Sequence, residues 1–347
     1  MVVRCWRIGW LAVLLLCWQG VAPWRGVSAH PAWGIRVSAE GEIFFADVER
    51  NRVWKISRRG TLIPLLKGKH SHDLWLDQAG NLFGEHVYWD AANERWVNSR
   101  WRFNDDEKLV ELGAPQRGAG LTRDAVGNQF GVESDAQTVR LLKRAPNGQV
   151  TTIAGNARGY ADGPGEQARF TLIEAMELGQ DGALYVRDKV CIRRVALDGS
   201  VVTLGGNPLA GVARGEHPRI LGLAADARGN VFVADTEQGV VRRIGPDNRV
   251  TTVLATGWFW TPTGVTVVND ELYVLENLPE SPLMLLAVSG IGPYIRVQKI
   301  AADGSVRTLA TVWGPTTRLL LGAAILLGAL FALWRLRRRE GHRELAV

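Results

Sequence analysis

One hairpin pattern recurs along the chain. GIRVSAEGEIFFAD (34–47) is matched by DLWLDQAGNLFGEH (73–86), GLTRDAVGNQFGVE (120–133), AMELGQDGALYVRD (175–188) and GLAADARGNVFVAD (222–235), and a shortened copy is GVTVVNDELYVLE (264–276). Each copy is a short apolar strand, a turn containing Gly, Asn or Asp, and a second strand. A third strand with basic residues follows most copies, as in NRVWKI or CIRRVA. After a DG- or NG-like turn comes a fourth, as in GSVVTLG or GQVTTIA. Gly41 to Gly80 is 39 residues and Gly182 to Gly229 is 47. Four antiparallel strands in each ~40–50 residues mark a propeller, because no single four-stranded unit can bury its faces alone. Stacking the units around an axis buries those faces and leaves only short edges. The expectation is all-β: a six-bladed β-propeller of four-stranded antiparallel blades over 30–312. A two-sheet sandwich would not need six hairpins in register.

The two ends differ from this body. Arg4 and Arg7 precede an apolar run, Ile8 to Ala22, and Val27-Ser28-Ala29 offers small residues before His30. These are the parts of an export signal, so 1–29 reads as a signal peptide, with an uncleaved anchor as the alternative. Near the other end, Leu319 to Trp334 is apolar for 16 residues. A helix of that length rises ~24 Å against a hydrocarbon core of ~30 Å. Arg318 and Arg335 can snorkel, and Trp313 and Trp334 can sit at the interfaces, which favours a transmembrane helix over a buried soluble one. Residues 313–318 then form a linker. Residues 335–347 form a basic cytoplasmic tail, with Arg335, Arg337, Arg338 and Arg339 at its start. The propeller is expected on the extracytoplasmic (periplasmic or extracellular) side of a single-pass membrane protein.

Charge and cysteine content narrow the function. The chain has 41 Lys and Arg against 35 Asp and Glu, but from His30 to Thr317 the count is 32 against 33. The basic excess therefore sits at the ends and directs topology; it makes no nucleic-acid surface. Cys5 and Cys17 lie in the signal, which leaves Cys191 alone in an apolar strand pattern and no intrachain disulfide in the mature chain.

The segment TIAGNARGYADGPGEQARF (152–170) resembles the AG…G-x-x-DG-x-G…A-x-F linker between blades of bacterial NHL-repeat propellers. The resemblance covers His30 to about Val312 and implies a six-bladed propeller in which Phe170 plugs a seam between blades. It implies no single activity, because the SMP-30/gluconolactonase-like superfamily holds lactonases, lyases and binding scaffolds. The lactonases place a metal-binding Glu in an E-G-P-type start of the first blade strand, where this chain reads HPAWG (30–34). The amidating lyases spread zinc-binding histidines over several blades; here they cluster in one. No Ser/His/Asp constellation, phosphate-binding Gly loop or CxxC pair is visible.

The cluster is HSHDLWLDQAGNLFGEHVYWD (70–90). Strand one of each blade lines the channel and runs away from one face, the top, so strand-one starts and strand-two ends meet there. Counting from a Gln78–Asn81 turn places Asp73 opposite His86 and Leu74 opposite Glu85. Other blades pair a small residue (Gly34, Gly120, Ala175, Gly222, Gly264) with an acid (Asp47, Glu133, Asp188, Asp235, Glu276). Asp73 and His86 thus read as a local swap of a structural pair. The repeat does not explain His70 and His72. With Glu174 they form a candidate set for a divalent metal, zinc or calcium. Arg117 and Arg219 are candidates for binding an anionic ligand, joined at the rim by Asp73, Glu85 and His86. The alternative is a set of polar residues around a water-filled channel.

The last strand ends at the top, a few residues before the apolar span. An apolar segment (278–294), with Leu283, Met284, Leu285 and Leu286, and the linker residues Trp258 and Trp260 should emerge there too. They are candidate membrane or partner contacts. Two functions remain open: a membrane-anchored scaffold binding a protein or small ligand through its top face, or a metal-dependent hydrolase or lyase with its site at the channel mouth.

Overall fold

A computed structural model describes residues 32–77, 79–90, 92–104, 108–114, 122–124, 126–205, 220–257, 259–278, 293–314 and 327–328. Six antiparallel sheets follow one another along the chain. Blade one is β1 (Ile35–Val37), β2 (Ile43–Asp47), β3 (Arg52–Ile56) and β4 (Leu62–Lys67). Blade two is β5 (Leu74–Leu76), β6 (Leu82–Asp90), β7 (Arg95–Phe103) and β8 (Leu109–Gly113). Blade three is β9 (Thr122–Arg123), β10 (Gln129–Ser134), β11 (Val139–Arg144) and β12 (Val150–Ala154). Blade four is β14 (Ile173–Leu178), β15 (Leu184–Asp188), β16 (Cys191–Val195) and β17 (Ser200–Leu204), with β13 (Gly163–Pro164) paired outside β17. Blade five is β18 (Ile220–Ala225), β19 (Val231–Asp235), β20 (Val240–Ile244) and β21 (Val250–Ala255). Blade six is β22 (Thr261–Val268), β23 (Glu271–Asn277), β24 (Pro293–Ile300) and β25 (Val306–Trp313). The six-bladed all-β architecture is as the repeat implied.

The first hairpins close differently from the sequence expectation. In blade two Leu74 pairs with Gly84 and Leu76 with Leu82, so Asp73 is not opposite His86 and Leu74 is not opposite Glu85. The turn has an odd loop: the Asp77 N–H donates to Asn81 O at 3.1 Å, and Gly80 sits between them at φ +80°. The Asp77 carboxylate accepts the N–H groups of Ala79 and Asn81 and the Asn81 side-chain amide. An Asx-capped turn with a left-handed glycine explains the one-residue shift. Asp124 with Asn128 and Asp226 with Asn230 repeat it.

The small residues at the strand-one starts have a different cause from the one expected. A Cβ on Gly264 would lie 2.2 Å from the Trp33 carbonyl oxygen, one on Gly222 would lie 2.7 Å from the Gly264 Cα, and one on Gly34 would lie 2.7 Å from the Leu74 nitrogen. Neighbouring blades thus touch backbone to backbone around the axis. The glycines are needed for that approach and do not pair with the acids.

Apolar clusters fill the seams. Phe170 is fully buried between blades three and four with Phe130, Leu141, Met176 and Leu184, as the linker motif implied. The ring closes where Ile35, Phe45 and Trp54 of blade one meet Tyr273, Tyr294 and Val297 of blade six. There the Tyr294 hydroxyl donates to Asp47 at 2.8 Å. Among the described residues no strand is exchanged between the first and last blades, so side-chain packing holds the closure. Cys191 begins β16, on a strand as its apolar pattern implied, and is half-buried.

Residues 1–29, expected as a signal, residues 335–347, expected as a tail, and Arg117, Arg219, Trp258, Leu283, Met284, Leu285 and Leu286 lie outside the described residues, as does the expected span 319–334 apart from 327–328. Among the described residues no helix is long and apolar enough to cross a membrane.

Candidate functional site

The acid that ends strand two serves a structural purpose in most blades. Asp188 accepts the backbone N–H groups of Thr171 and Leu172, each at 2.8 Å, and receives Arg193 at 3.1 Å. Asp47 accepts from Trp54 and Tyr294, Asp235 from Arg242, and Glu276 from Arg296. Blade two carries His86 at this place. Its Nδ1 accepts the backbone N–H of His70 at 3.0 Å, so imidazole does the work that the carboxylate of Asp188 does in blade four. Burial, together with the nearby Lys69 charge, pushes the His86 pKa down, in keeping with an acceptor nitrogen. Asp73 makes no bond to His86. Its Oδ1 accepts the Leu74 N–H at 2.8 Å and faces Arg36 at 3.5 Å. The swap expected from the sequence is therefore half right: His86 replaces the acid, but Asp73 belongs to another group.

That group crosses the channel. Arg36, on β1, donates to Asp73 of blade two and to Glu177 on β14, at 3.3 Å. In a ring of six, blades one and four face each other across the axis. The three side chains are only 14%, 21% and 25% exposed. Burial pushes the carboxyl pKa values of Asp73 and Glu177 up, opposed by Arg36. Burial also works against the Arg36 charge, but Glu177 and Asp73 outweigh it and raise its pKa. Two carboxylates share one guanidinium in a space with little water.

The mouth above this crossing is small. A pocket of about 50 Å³ is lined by Trp33, His72, Asp73, Trp75, Glu85, Val87 and Glu174. That is room for a few waters, well short of the ~300–1,000 Å³ of sites for organic ligands. His72 stacks on Trp33 with centroids 5.2 Å apart, and its carbonyl accepts the N–H groups of Trp33 and Gly34, which ties blade two to blade one. His70 stands edge-on to His72 at 4.9 Å and its Nδ1 lies 2.9 Å from Asn51 Oδ1. Glu174 pairs with Arg187 at 3.3 Å, and Glu85 meets Arg100 through two guanidinium nitrogens. Asn98 also donates to Glu85.

Most of the expected rim is therefore adjacent, but it does not form the expected metal centre. Among the described residues no three His, Cys, Asp or Glu side chains come together as metal ligands, and His70, His72 and Glu174 are not such a group. Each has been drawn to another partner: Asn51, Trp33 and Arg187. The sequence reading missed Arg36, Glu177 and Arg100. A signal for the first two was present. Two residues before the hairpin turn, the first five blades carry Arg36, Trp75, Thr122, Glu177 and Ala224, so opposite charges stand in opposite blades.

Fold and channel together make this a six-bladed β-propeller whose axis is crossed by an ion pair. No family model matches the chain, and no curated protein matches it. Several solved structures are similar to it at low identity. Virginiamycin B lyase from Staphylococcus aureus is 12% identical over 80% of this chain and 83% of its own, with a TM-score of 0.46. A protein of unknown function from Bacteroides caccae is 13% identical over 80% and 94%, with a TM-score of 0.49. Regucalcin, a calcium-binding protein from Agrobacterium tumefaciens, is 13% identical over 74% and 85%, with a TM-score of 0.47.

Proposed function

We propose that this chain is a membrane-anchored, extracytoplasmic propeller that binds a protein or small ligand through its top face, with its channel serving as structure. The observation that carries the reading is the Arg36 crossing: the charges that would bind a substrate on the axis are engaged with one another. A catalytic channel needs charges left available for a substrate or metal, and a pocket large enough to take it.

The top face supports the same reading. Tyr88 (40% exposed) and Trp89 (50%) lie on the extended hairpin of β6 and β7, whose strands are nine residues each, while no other described strand exceeds eight. Phe259 (61%) lies in the linker before blade six, and Trp313 (44%) ends β25. All four are at the top, where the chain leaves the propeller. Aromatic rings that are partly wet and partly apolar suit a membrane interface or a protein partner. Trp260 is half-buried with Arg296 4.5 Å over its ring, and its neighbour Phe259 is the more exposed of the two. In this reading 1–29 is the export signal, 319–334 the span and 335–347 the cytoplasmic tail.

Carbonate extraction and protease accessibility in intact cells test the anchor. The full chain should stay in the membrane with its propeller open to external protease, and a chain ending at Gly314 should be released. A full chain that washes off, or a protected propeller, contradicts the reading. Elemental analysis of the purified full chain tests the rest. Stoichiometric zinc or calcium lost in His72→Ala would replace this function with the metal-dependent hydrolase or lyase.

A further inference from the structure

One cavity lies away from the channel. A groove of about 510 Å³ runs along the seam between blades one and six, at the face opposite the top. Its size falls within the range of small-molecule sites. Ile43, Tyr273 and Leu309 supply an apolar floor, and Arg58, Arg59, Lys299 and Arg307 line its sides. Two acids answer these four cations: Glu271 pairs with Lys299 at 2.5 Å and also feels Arg307, and Glu40 feels Arg58. The groove keeps an excess of positive charge, although the body as a whole is close to neutral.

The repeat shows that two of these cations are departures. The turn from strand three to strand four carries an Asp or Asn at its third position in the other blades that are described there. That side chain caps the turn: Asn147 accepts the Gln149 N–H, Asp198 the Ser200 N–H, Asp247 the Arg249 N–H and Asp303 the Ser305 N–H, at 2.9 to 3.1 Å. Blade one has Arg59 there, and Ser57 Oγ receives the Thr61 N–H instead. The third residue after the recurring Gly or Asn of the turn is Ile63, Thr151, Val202 or Thr251 in blades one, three, four and five, and Arg307 in blade six. Each departure exchanges an ordinary blade residue for a guanidinium, and both face the same seam.

We infer that this groove binds a soluble organic anion, its apolar body on Ile43, Tyr273 and Leu309 and its carboxylate or phosphate between Arg59 and Arg307. Guanidinium groups suit both anions because their paired N–H groups match two oxygens. The site does not depend on the membrane reading or on the channel.

Phenyl phosphate is the probe, titrated calorimetrically into the full chain in detergent. Saturable one-to-one binding is expected, weakened by salt and by at least about tenfold in Arg307→Ala. Arg59→Asp is the second variant. It restores the acid found at this turn in other blades, so its unfolding midpoint should equal or exceed that of the parent while phenyl phosphate binding falls by a similar factor. Absence of saturable binding to the parent chain, or unchanged affinity in both variants, overturns the inference.

Discussion

Arg36 of blade one stands 3.3 Å from Glu177 of blade four, so one ion pair joins opposite sides of the ring across its axis. Asp73 of blade two completes the group at 3.5 Å. A partly buried charge is stable only with its partners, and deleting one of them leaves the others uncompensated. Arg36→Met leaves two carboxylates facing each other and should cost ~3–5 kcal/mol in urea unfolding. The triple variant Arg36→Met, Asp73→Asn, Glu177→Gln removes all the charge and should recover most of that loss.

Acidity should repair Arg36→Met in part. Asp73 and Glu177 already have pKa values above the ordinary carboxylate range because of burial, and losing Arg36 raises them further. A carboxyl whose folded pKa lies above its unfolded value binds protons on folding, so its contribution improves as pH falls through the folded pKa. The stability gap between Arg36→Met and the parent should therefore be smaller at pH 5 than at pH 8, read from urea midpoints.

His86 carries the opposite sign. Its pKa is depressed, burial being the largest cause, so the stability it contributes is present above its unfolded pKa and is lost as pH falls through the folded one. Protonating Nδ1 removes the acceptor for the His70 N–H. His86→Leu should cost ~1–3 kcal/mol at pH 7.5, the cost of an unsatisfied buried donor. His86→Asp, the residue type at the same place in blades one, four and five, should stay within about 1 kcal/mol of the parent and lose less stability between pH 7.5 and pH 5.

Blade architecture was legible in the sequence because it is written six times, and differences between copies average out. The seam role of Phe170 was legible because one linker motif carries it. Register was not. A hairpin whose loop is one residue longer flips every pairing, and the Asp77–Asn81 cap with Gly80 between is a local device that strand counting does not weigh. That one residue moved Asp73 from a supposed bond with His86 to an ion pair with Arg36. The His70, His72 and Glu174 set looked like ligands because the sequence shows which blades reach the rim but not which neighbour each side chain meets first. Asn51 and Trp33 come from blade one, packed beside blade two, and Arg187 from the strand paired with that of Glu174.

Ring closure itself can be tested at Gly264. A methyl group there would meet the Trp33 carbonyl, which is backbone and cannot swing away. Gly264→Ala should cost at least ~1–3 kcal/mol, typical of an overpacked site, in thermal unfolding. Gly304→Ala acts through backbone strain alone, at φ +82° with nothing within 4 Å of the added carbon, and leaves the seam in place. Limited proteolysis should then expose the blade one–six seam in the first variant and not in the second.

The central claim is that the channel charges hold the ring together across its axis. A double-mutant cycle between Arg36 and Glu177, made with Arg36→Met and Glu177→Gln and read from urea unfolding of the full chain, measures this directly. The account predicts a coupling of ~1–3 kcal/mol, with the second substitution much less damaging in the background of the first. Additive effects, with no coupling between the two residues, would contradict it and return both charges to the account as groups available for a ligand.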